Sequence, residues 1–361
     1  MIKGKILFVL LFFIITSSYT TSCSNSSNNA FEDQTFAMGT IITQQIYGND
    51  SKKVSEEVNT RIHEIESAMT INAPGGEIDK LNSSAGDGSW NLLDKETIYV
   101  LNKAIKFSGL SEGAFDITVG PLVKKWNILA ADLQVPNDSE VPSDPQIPND
   151  SDIKSLLDLV NYKDILIDEQ NSRARLARKG QIVDLGGIAK GYSADQAISI
   201  YKKYGITSAY VNLGGNVSVL GSKPDGSHWT VGIQNPRQPN GRYIGTIKTR
   251  DKTIVTSGDY ERYFIKDNIR YHHILNPKTG YPSDSGLIST TIIADLSVDA
   301  DVLSTSTFVL GLDKGRSLVE SLEGVEAIFI TNNKEIFITS GLKDIFTFDD
   351  ESKEFKYVEE R

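Results

Sequence analysis

The sequence predicts an α+β fold with antiparallel sheet, and three observations carry that reading. The 361 residues are 39% hydrophobic and 23% charged, a balance that supports a buried core. Strand-period and helix-period apolar patterns alternate along the chain without an internal repeat. Near the end, Glu326–Thr331 and Glu335–Thr339 face each other across Asn332-Asn333, which reads as a hairpin and makes a purely parallel sheet untenable.

Taken in order, the chain opens on Lys3 and Lys5 before the unbroken apolar run Ile6 to Ile15. A bilayer span takes about 20 residues, so the run fits the apolar centre of an export signal instead. The only cysteine, Cys23, follows Ser22 where a lipoprotein signal peptidase would cut and the thiol would be lipidated. A plain secretory signal with an incidental Cys is the alternative. The reading divides the chain into a signal peptide (1–22), a lipidated Cys and flexible tether (23–32), and a folded body (33–361). It places that body on the extracytoplasmic face of a bacterial cell membrane. Two or more acyl chains anchor stably where one does not.

In the body, Thr40 to Tyr47 reads as a first strand. A helix follows with Val54, Val58, Ile62, Ile65 and Met69 on one stripe. A second helix runs from Lys95 to Phe107, capped by Asp94 and stopped at Ser108-Gly109. Residues 134–152 carry Pro136, Pro142, Pro145 and Pro148, with five acids and no base. This acidic, proline-rich stretch reads as a mobile loop insertion. Beyond it, Ile165–Ile167, Gln181–Val183, Ala209–Val211, Trp229–Ile233, Thr253–Val255 and Ser289–Ile293 read as strands. Ala189–Lys203 and Asp301–Leu310 read as helices.

Composition excludes some functions. A net charge of −10 argues against a nucleic-acid partner, which needs a cationic surface. One Cys rules out an internal disulfide and a multi-Cys zinc cluster.

Four stretches suggest chemistry. Asp184-Leu185-Gly186-Gly187-Ile188-Ala189-Lys190-Gly191-Tyr192 brings a double glycine to a helix start. Bare backbone, free N–H groups and the Lys190 charge suit a phosphate or pyrophosphate, although a purely structural turn accounts for the glycines equally well. Asp301 and Thr305 are four apart on a helix and share a face, which with a nearby carbonyl makes a hard-oxygen site for Mg²⁺. An acidic helix start with a packed Thr is the structural alternative. In Tyr271-His272-His273-Ile274, adjacent His residues on a strand point to opposite faces, so one at most enters a given site, where it could take a proton from a hydroxyl. An exposed turn is the alternative there. Gly113-Ala114-Phe115-Asp116-Ile117-Thr118 offers a wall for a flat heterocycle, or simply a buried turn.

In this order, and with Phe36-Ala37-Met38-Gly39-Thr40, Val211-Asn212-Leu213-Gly214-Gly215-Asn216 and Thr256-Ser257-Gly258-Asp259-Tyr260-Glu261-Arg262, the chain resembles the ApbE family of FAD:protein FMN transferases from about Phe36 to Gly341. The resemblance implies a T-fold-related α+β architecture: two entwined mixed α/β subdomains with a flavin cleft between them. It implies Mg²⁺-dependent transfer of FMN from FAD to a Thr or Ser hydroxyl of an extracytoplasmic acceptor protein, through a phosphoester bond and with release of AMP. By the same resemblance, Gly187 (carbonyl), Asp301 and Thr305 would hold the metal. The nucleotide would meet Met38, Asn72, Ala114, Phe115, Asp116, Asp184, Lys190, His273 and Ile274. His273 would be the base and His272 the second candidate. Asn72 stands where family members often carry Tyr, which would open the bound nucleotide to water. An FAD pyrophosphatase giving FMN and AMP is therefore the alternative enzyme, and a flavin-binding lipoprotein the alternative from another class.

Overall fold

The computed structural model describes residues 30–128, 146–238 and 242–358. The expectations for the signal, Cys23, Ser24–Asn29 and the loop up to residue 145 lie outside the described residues.

The chain begins with a hairpin, β1 (Ala30–Ala37) and β2 (Thr40–Tyr47). Next come α1 (Ser51–Met69), α2 (Glu77–Ser83), β3 (Asn91–Leu92), α3 (Lys95–Leu110), α4 (Gly120–Trp126) and α5 (Asp150–Leu157). Then follow β4 (Ile165–Asp168), β5 (Arg173–Leu176), α6 (Ala189–Lys203), β6 (Ser208–Leu213), β7 (Asn216–Leu220), β8 (Trp229–Gln234), β9 (Tyr243–Thr249) and β10 (Thr253–Gly258). The last part holds β11 (Tyr263–Lys266), β12 (Ile269–His272), β13 (Leu287–Ala294), α7 (Ser297–Leu310), α8 (Leu312–Glu320), β14 (Glu326–Thr331), β15 (Glu335–Ile338), β16 (Phe346–Phe348) and β17 (Lys356–Tyr357).

Nine strands form the main sheet in the order β1-β2-β6-β7-β10-β13-β14-β15-β17. Its neighbours pair antiparallel except the short β15–β17 contact, which is parallel. One face carries the helices. Ile42 and Ile46 of β2 pack there against Val54, Val58 and Ile62 of α1 and Ala194, Ala197 and Tyr201 of α6. Farther along that face, Val255, Ile292 and Phe329 meet Val298, Val302 and Phe308 of α7. On the other face, Ile254, Ile293 and Ile328 pack on the three-stranded sheet β16-β9-β8 through Ile233 and Ile247. Central strand β13 is buried along its whole length, as a strand covered on both faces must be.

Several expectations need correction. Thr40–Tyr47 is the second strand: β1 starts at Ala30, inside the stretch read as tether. Its solvent-facing alternation of Glu32, Gln34 and Phe36 hid it. Ser108-Gly109 does not stop α3, which reaches Leu110, and the Asp94 side chain makes no cap. Instead, the Asp94 N–H donates to the Glu77 carboxylate at 3.0 Å. Gln181–Val183 makes only a single bridge, Ile182 to Val119. Asp150–Asp152, read as loop, forms the first turn of α5, where the Asn149 side chain accepts the Asp152 N–H at 2.8 Å and Ile153 is buried. The helix read as Asp301–Leu310 is α7, which begins at Ser297, four residues before Asp301.

Candidate active site

The site assembles around the start of α6. The Asp184 N–H donates to the Ile117 carbonyl at 2.7 Å, which joins the two glycine-bearing stretches, and the Gly186 N–H donates back to Asp184 Oδ1 at 2.8 Å. A Cβ on Gly187 would lie 3.0 Å from Phe115 Cε2 and 3.7 Å from Thr305 Oγ1. Only bare backbone lets the Phe115 ring and the Thr305 hydroxyl come this close to it.

Four residues on, α6 touches α7. A Cβ on Gly191 would lie 2.3 Å from the Ser297 carbonyl oxygen and 2.7 Å from Asp301 Cβ. The contact lets the Gly191 N–H donate to Asp301 Oδ2 at 2.8 Å, while Asp301 Oδ1 stands 3.9 Å from Lys190 Nζ. Asp301 is 4% exposed, so this carboxylate is a shielded negative charge held by one N–H and one cation. Helix α7 is itself held by α6: Asp195 accepts the Ser297 and Val298 N–H groups at 2.7 and 2.9 Å, capping the helix that bears Asp301 and Thr305.

The turn between β1 and β2 supplies Met38. Met38 and Gly39 have φ of 53° and 69°, the left-handed pair that a two-residue hairpin requires. A non-glycine residue there is strained. Glu66 Oε1 holds the turn by accepting the Met38 N–H at 2.6 Å, and Ser193 Oγ donates to Met38 Sδ at 3.3 Å. Arg262 Nη2 donates to the Gly39 carbonyl at 3.0 Å.

His273 is fixed from the same direction. Its N–H and its Nδ1 both meet the Arg262 carbonyl, at 3.0 and 3.2 Å. A carbonyl only accepts, so the ring proton sits on Nδ1 and Nε2 keeps a free lone pair. Burial, reinforced by Arg262, His272 and Lys190, lowers its pKa to about 3, so the ring is neutral at pH 7. His272 turns the other way: its Nε2 meets the Ser283 carbonyl at 3.0 Å and its ring edges onto Phe308. Ile274 is buried in the core beside Phe115 and Leu185.

Two of the expected acids differ in how they are held. Asp184 is pushed up by burial, while the Gly186 N–H, Lys190 and Lys124 pull it down. Asp116, also raised by burial, accepts from the Thr118 N–H and hydroxyl and from the Tyr162 N–H. Those bonds brace the segment carrying the buried Ala114 and Phe115. Asn72 stands exposed on the segment after α1, with its N–H on Thr70 Oγ1 at 3.1 Å.

Sequence reasoning assigned no role to Ser257, Arg262 or Lys278. Ser257 Oγ lies 2.8 Å from Ser304 Oγ and 3.3 Å from Thr305 Oγ1, where it orients the Thr305 hydroxyl. Lys278 reaches the Gly113 turn, its Cε 4.0 Å from where a Cβ would stand. Arg262 acts through backbone carbonyls, and its only signal in the sequence, like that of Ser257, was its place in the Thr256–Arg262 run. The turn residues around Lys278 were the only signal for it.

Among the described residues, no group of three or more His, Cys, Asp and Glu could hold a metal ion. The donors that do converge are a carboxylate, a hydroxyl and bare backbone. That set fits Mg²⁺, which keeps its waters and shares one or two carboxylates with substrate phosphates.

Cations, a bare helix start and one shielded carboxylate suit a phosphate-bearing nucleotide. Comparison with known proteins agrees: residues 38–329 match the ApbE family. A Klebsiella pneumoniae FAD:protein FMN transferase is 32% identical, over 87% of this chain and 93% of its own length. The crystal structure of the ApbE protein from Thermotoga maritima superposes with a TM-score of 0.78 at 31% identity, covering 88% of this chain and 99% of that one. The flavin transferase ApbE from Vibrio cholerae gives 0.76 at 25% identity, covering 88% and 99%. This chain belongs to the ApbE family, and its fold is the ApbE α+β fold.

Proposed function

We propose that this protein is an FAD:protein FMN transferase that moves FMN from FAD to a Thr or Ser hydroxyl of an acceptor protein and releases AMP. The observation that carries the reading is the meeting of Asp301 and Lys190 at the start of α6, beside a neutral His273 with a free Nε2. The relatives' shared activity supports it.

The residues divide the work as follows. Phe115 and Met38 border the nucleotide, and the bare backbone at Gly186-Gly187 admits its pyrophosphate. His273 Nε2 takes the proton from the acceptor hydroxyl as that oxygen attacks the phosphorus on the FMN side. The bridging P–O bond breaks, and AMP leaves with the electron pair. Lys190 offsets the charge gathering on the leaving phosphate. Asp301, Thr305 and the Gly187 carbonyl would hold Mg²⁺, which when bound neutralises pyrophosphate charge.

The position of Cys23 after an apolar run supports lipid anchoring on the extracytoplasmic side. Among the described residues, no helix is long and apolar enough to cross a membrane.

The test is Asp301→Asn, which keeps an oxygen for the Gly191 N–H. Mg²⁺-dependent AMP release should fall by about 100-fold or more, with the fold intact. Full activity would remove Asp301 from the site. In the parent chain, AMP release without an FMN-sized mass gain on an acceptor bearing a Thr site would instead identify an FAD pyrophosphatase.

A further inference from the structure

We propose that Ser304 and Ser257 form a hydroxyl relay that commits the Thr305 proton to Ser257, so that the Thr305 oxygen meets a cation with lone pairs alone. Both serines are then positioning residues for the metal site, a role that rests on the Mg²⁺-assisted transfer reading above.

The relay is read from where each proton can go. Ser304 lies on α7 next to Thr305, and its Oγ stands 2.9 Å from the Asp301 carbonyl oxygen, one turn back. The same Oγ is 2.8 Å from Ser257 Oγ on β10, and Ser257 Oγ is 3.3 Å from Thr305 Oγ1. Three hydroxyls therefore make three contacts in a row that ends on a carbonyl. Each hydroxyl has one proton to give. A carbonyl only accepts, so Ser304 donates to Asp301. Ser304 has no second proton and accepts from Ser257. Ser257, its own proton used, accepts from Thr305. Only this order gives every contact a proton.

The consequence falls on Thr305. With its proton on Ser257, its lone pairs are left for the space beside Gly187, where a Cβ would lie 3.7 Å from this oxygen. A freely rotating hydroxyl would present its proton to a cation part of the time and would have to be turned first. Metal-ligating histidines are oriented in the same way, by an outer partner on the atom that does not touch the metal.

The surroundings hold the relay still. Ser304 is fully buried, and Ser257 pairs in register with Thr290 of the buried strand β13. Shielding from water strengthens each bond of such a chain. The relay also starts on the backbone of Asp301 itself, so it links the two side-chain ligands of the proposed site. Without the Ser304 hydroxyl, the Ser257 proton loses its acceptor and turns to Thr305, which drives the Thr305 proton towards the cation.

The experiment titrates Mg²⁺ by calorimetry into the full chain holding FAD, without an acceptor protein. Ser257→Ala and Ser304→Ala should each raise the Kd for Mg²⁺ about tenfold, as loss of an outer partner of a metal ligand predicts. Ser257→Thr keeps the hydroxyl and should keep the parent's Kd. In a Thr305→Val chain, Ser304→Ala should add no further loss, because no hydroxyl remains to be turned. Flavin fluorescence in Mg²⁺-free buffer should give each serine variant the parent's Kd for FAD.

An unchanged Kd for Mg²⁺ in either alanine variant would overturn the relay. So would a full additional loss in the Thr305→Val chain, or a weakened hold on FAD without Mg²⁺, since each would mark a packing defect. Asp301→Asn separates the relay from the site it serves. If Asp301→Asn loses Mg²⁺ affinity while the serine variants do not, the relay alone fails. If Asp301→Asn keeps the parent's affinity, or the parent binds no Mg²⁺, the metal reading and the relay fall together.

Discussion

At the scale of single residues, His273 shows how position sets chemistry. The residue type and its neighbour Ile274 were readable from the sequence, but the ring's tautomer and protonation were not. Both come from the Arg262 carbonyl and from burial. A base must be neutral to accept a proton, so activity is lost below its pKa. For free enzyme that pKa is about 3, and the acidic limb of kcat/KM for FAD should therefore lie far below the ordinary 6.5 of histidine. With FAD bound, the two phosphate charges favour the imidazolium, so the limb of kcat should sit higher than that of kcat/KM. A pH profile of both constants checks this. An acidic limb of kcat/KM at 6.5 or above would remove His273 as the base.

At the scale of elements, α6 and α7 act as one unit, joined by backbone contact at Gly191 and by the Asp195 cap. Gly191→Ala inserts a methyl where the Ser297 oxygen and Asp301 Cβ already stand. It should cost about 1–3 kcal/mol of stability, and it should weaken AMP release further by moving Asp301. Urea unfolding and single-turnover AMP release measure the two effects. Equal stability would mean that the helices separate without cost. The boundaries of α6, Ala189–Lys203, agree with the sequence reading because the double glycine precedes the helix and Gly205 follows it. By contrast, β11 escaped it, and of β12 only the His272 end was read as strand. They are short and charged, and their pairing depends on the left-handed Asp267-Asn268 turn rather than on alternation. Of the candidate site, the shared helix face of Asp301 and Thr305 was legible as spacing, while the approach of Lys190 to Asp301 comes from the packing of α6 on α7. The contacts that Ser257, Arg262 and Lys278 make exist only in the packed chain.

At the scale of the whole molecule, two partly buried groups tilt stability with pH in opposite senses. Burial raises Asp195 from 3.8 to about 6, so its contribution is fully present below 3.8 and is lost as pH rises through 6. His273 drops from 6.5 to about 3, so its contribution is present above 6.5 and is lost as pH falls towards 3. Between pH 4 and 6 the two slopes oppose each other. Asp195→Asn removes the falling one. The urea midpoint of that variant should therefore climb more steeply from pH 4 to 6.5 than the parent's. Parallel curves would mean that Asp195 titrates in the fold as it does in the unfolded chain.

The distance along the chain between Met38 and Thr305 sets the timing of folding. The turn that carries Met38 is among the first segments of the body, while α7 and the strands that support it come near its end. Closing so long a loop costs entropy before any contact across it is rewarded, so contacts of this range form slowly. In a refolding experiment, helical circular dichroism should recover first, and quenching of flavin fluorescence only when the last strands have docked. FAD thus reports completion of the fold, and because it binds only the finished site, it pulls late intermediates towards it.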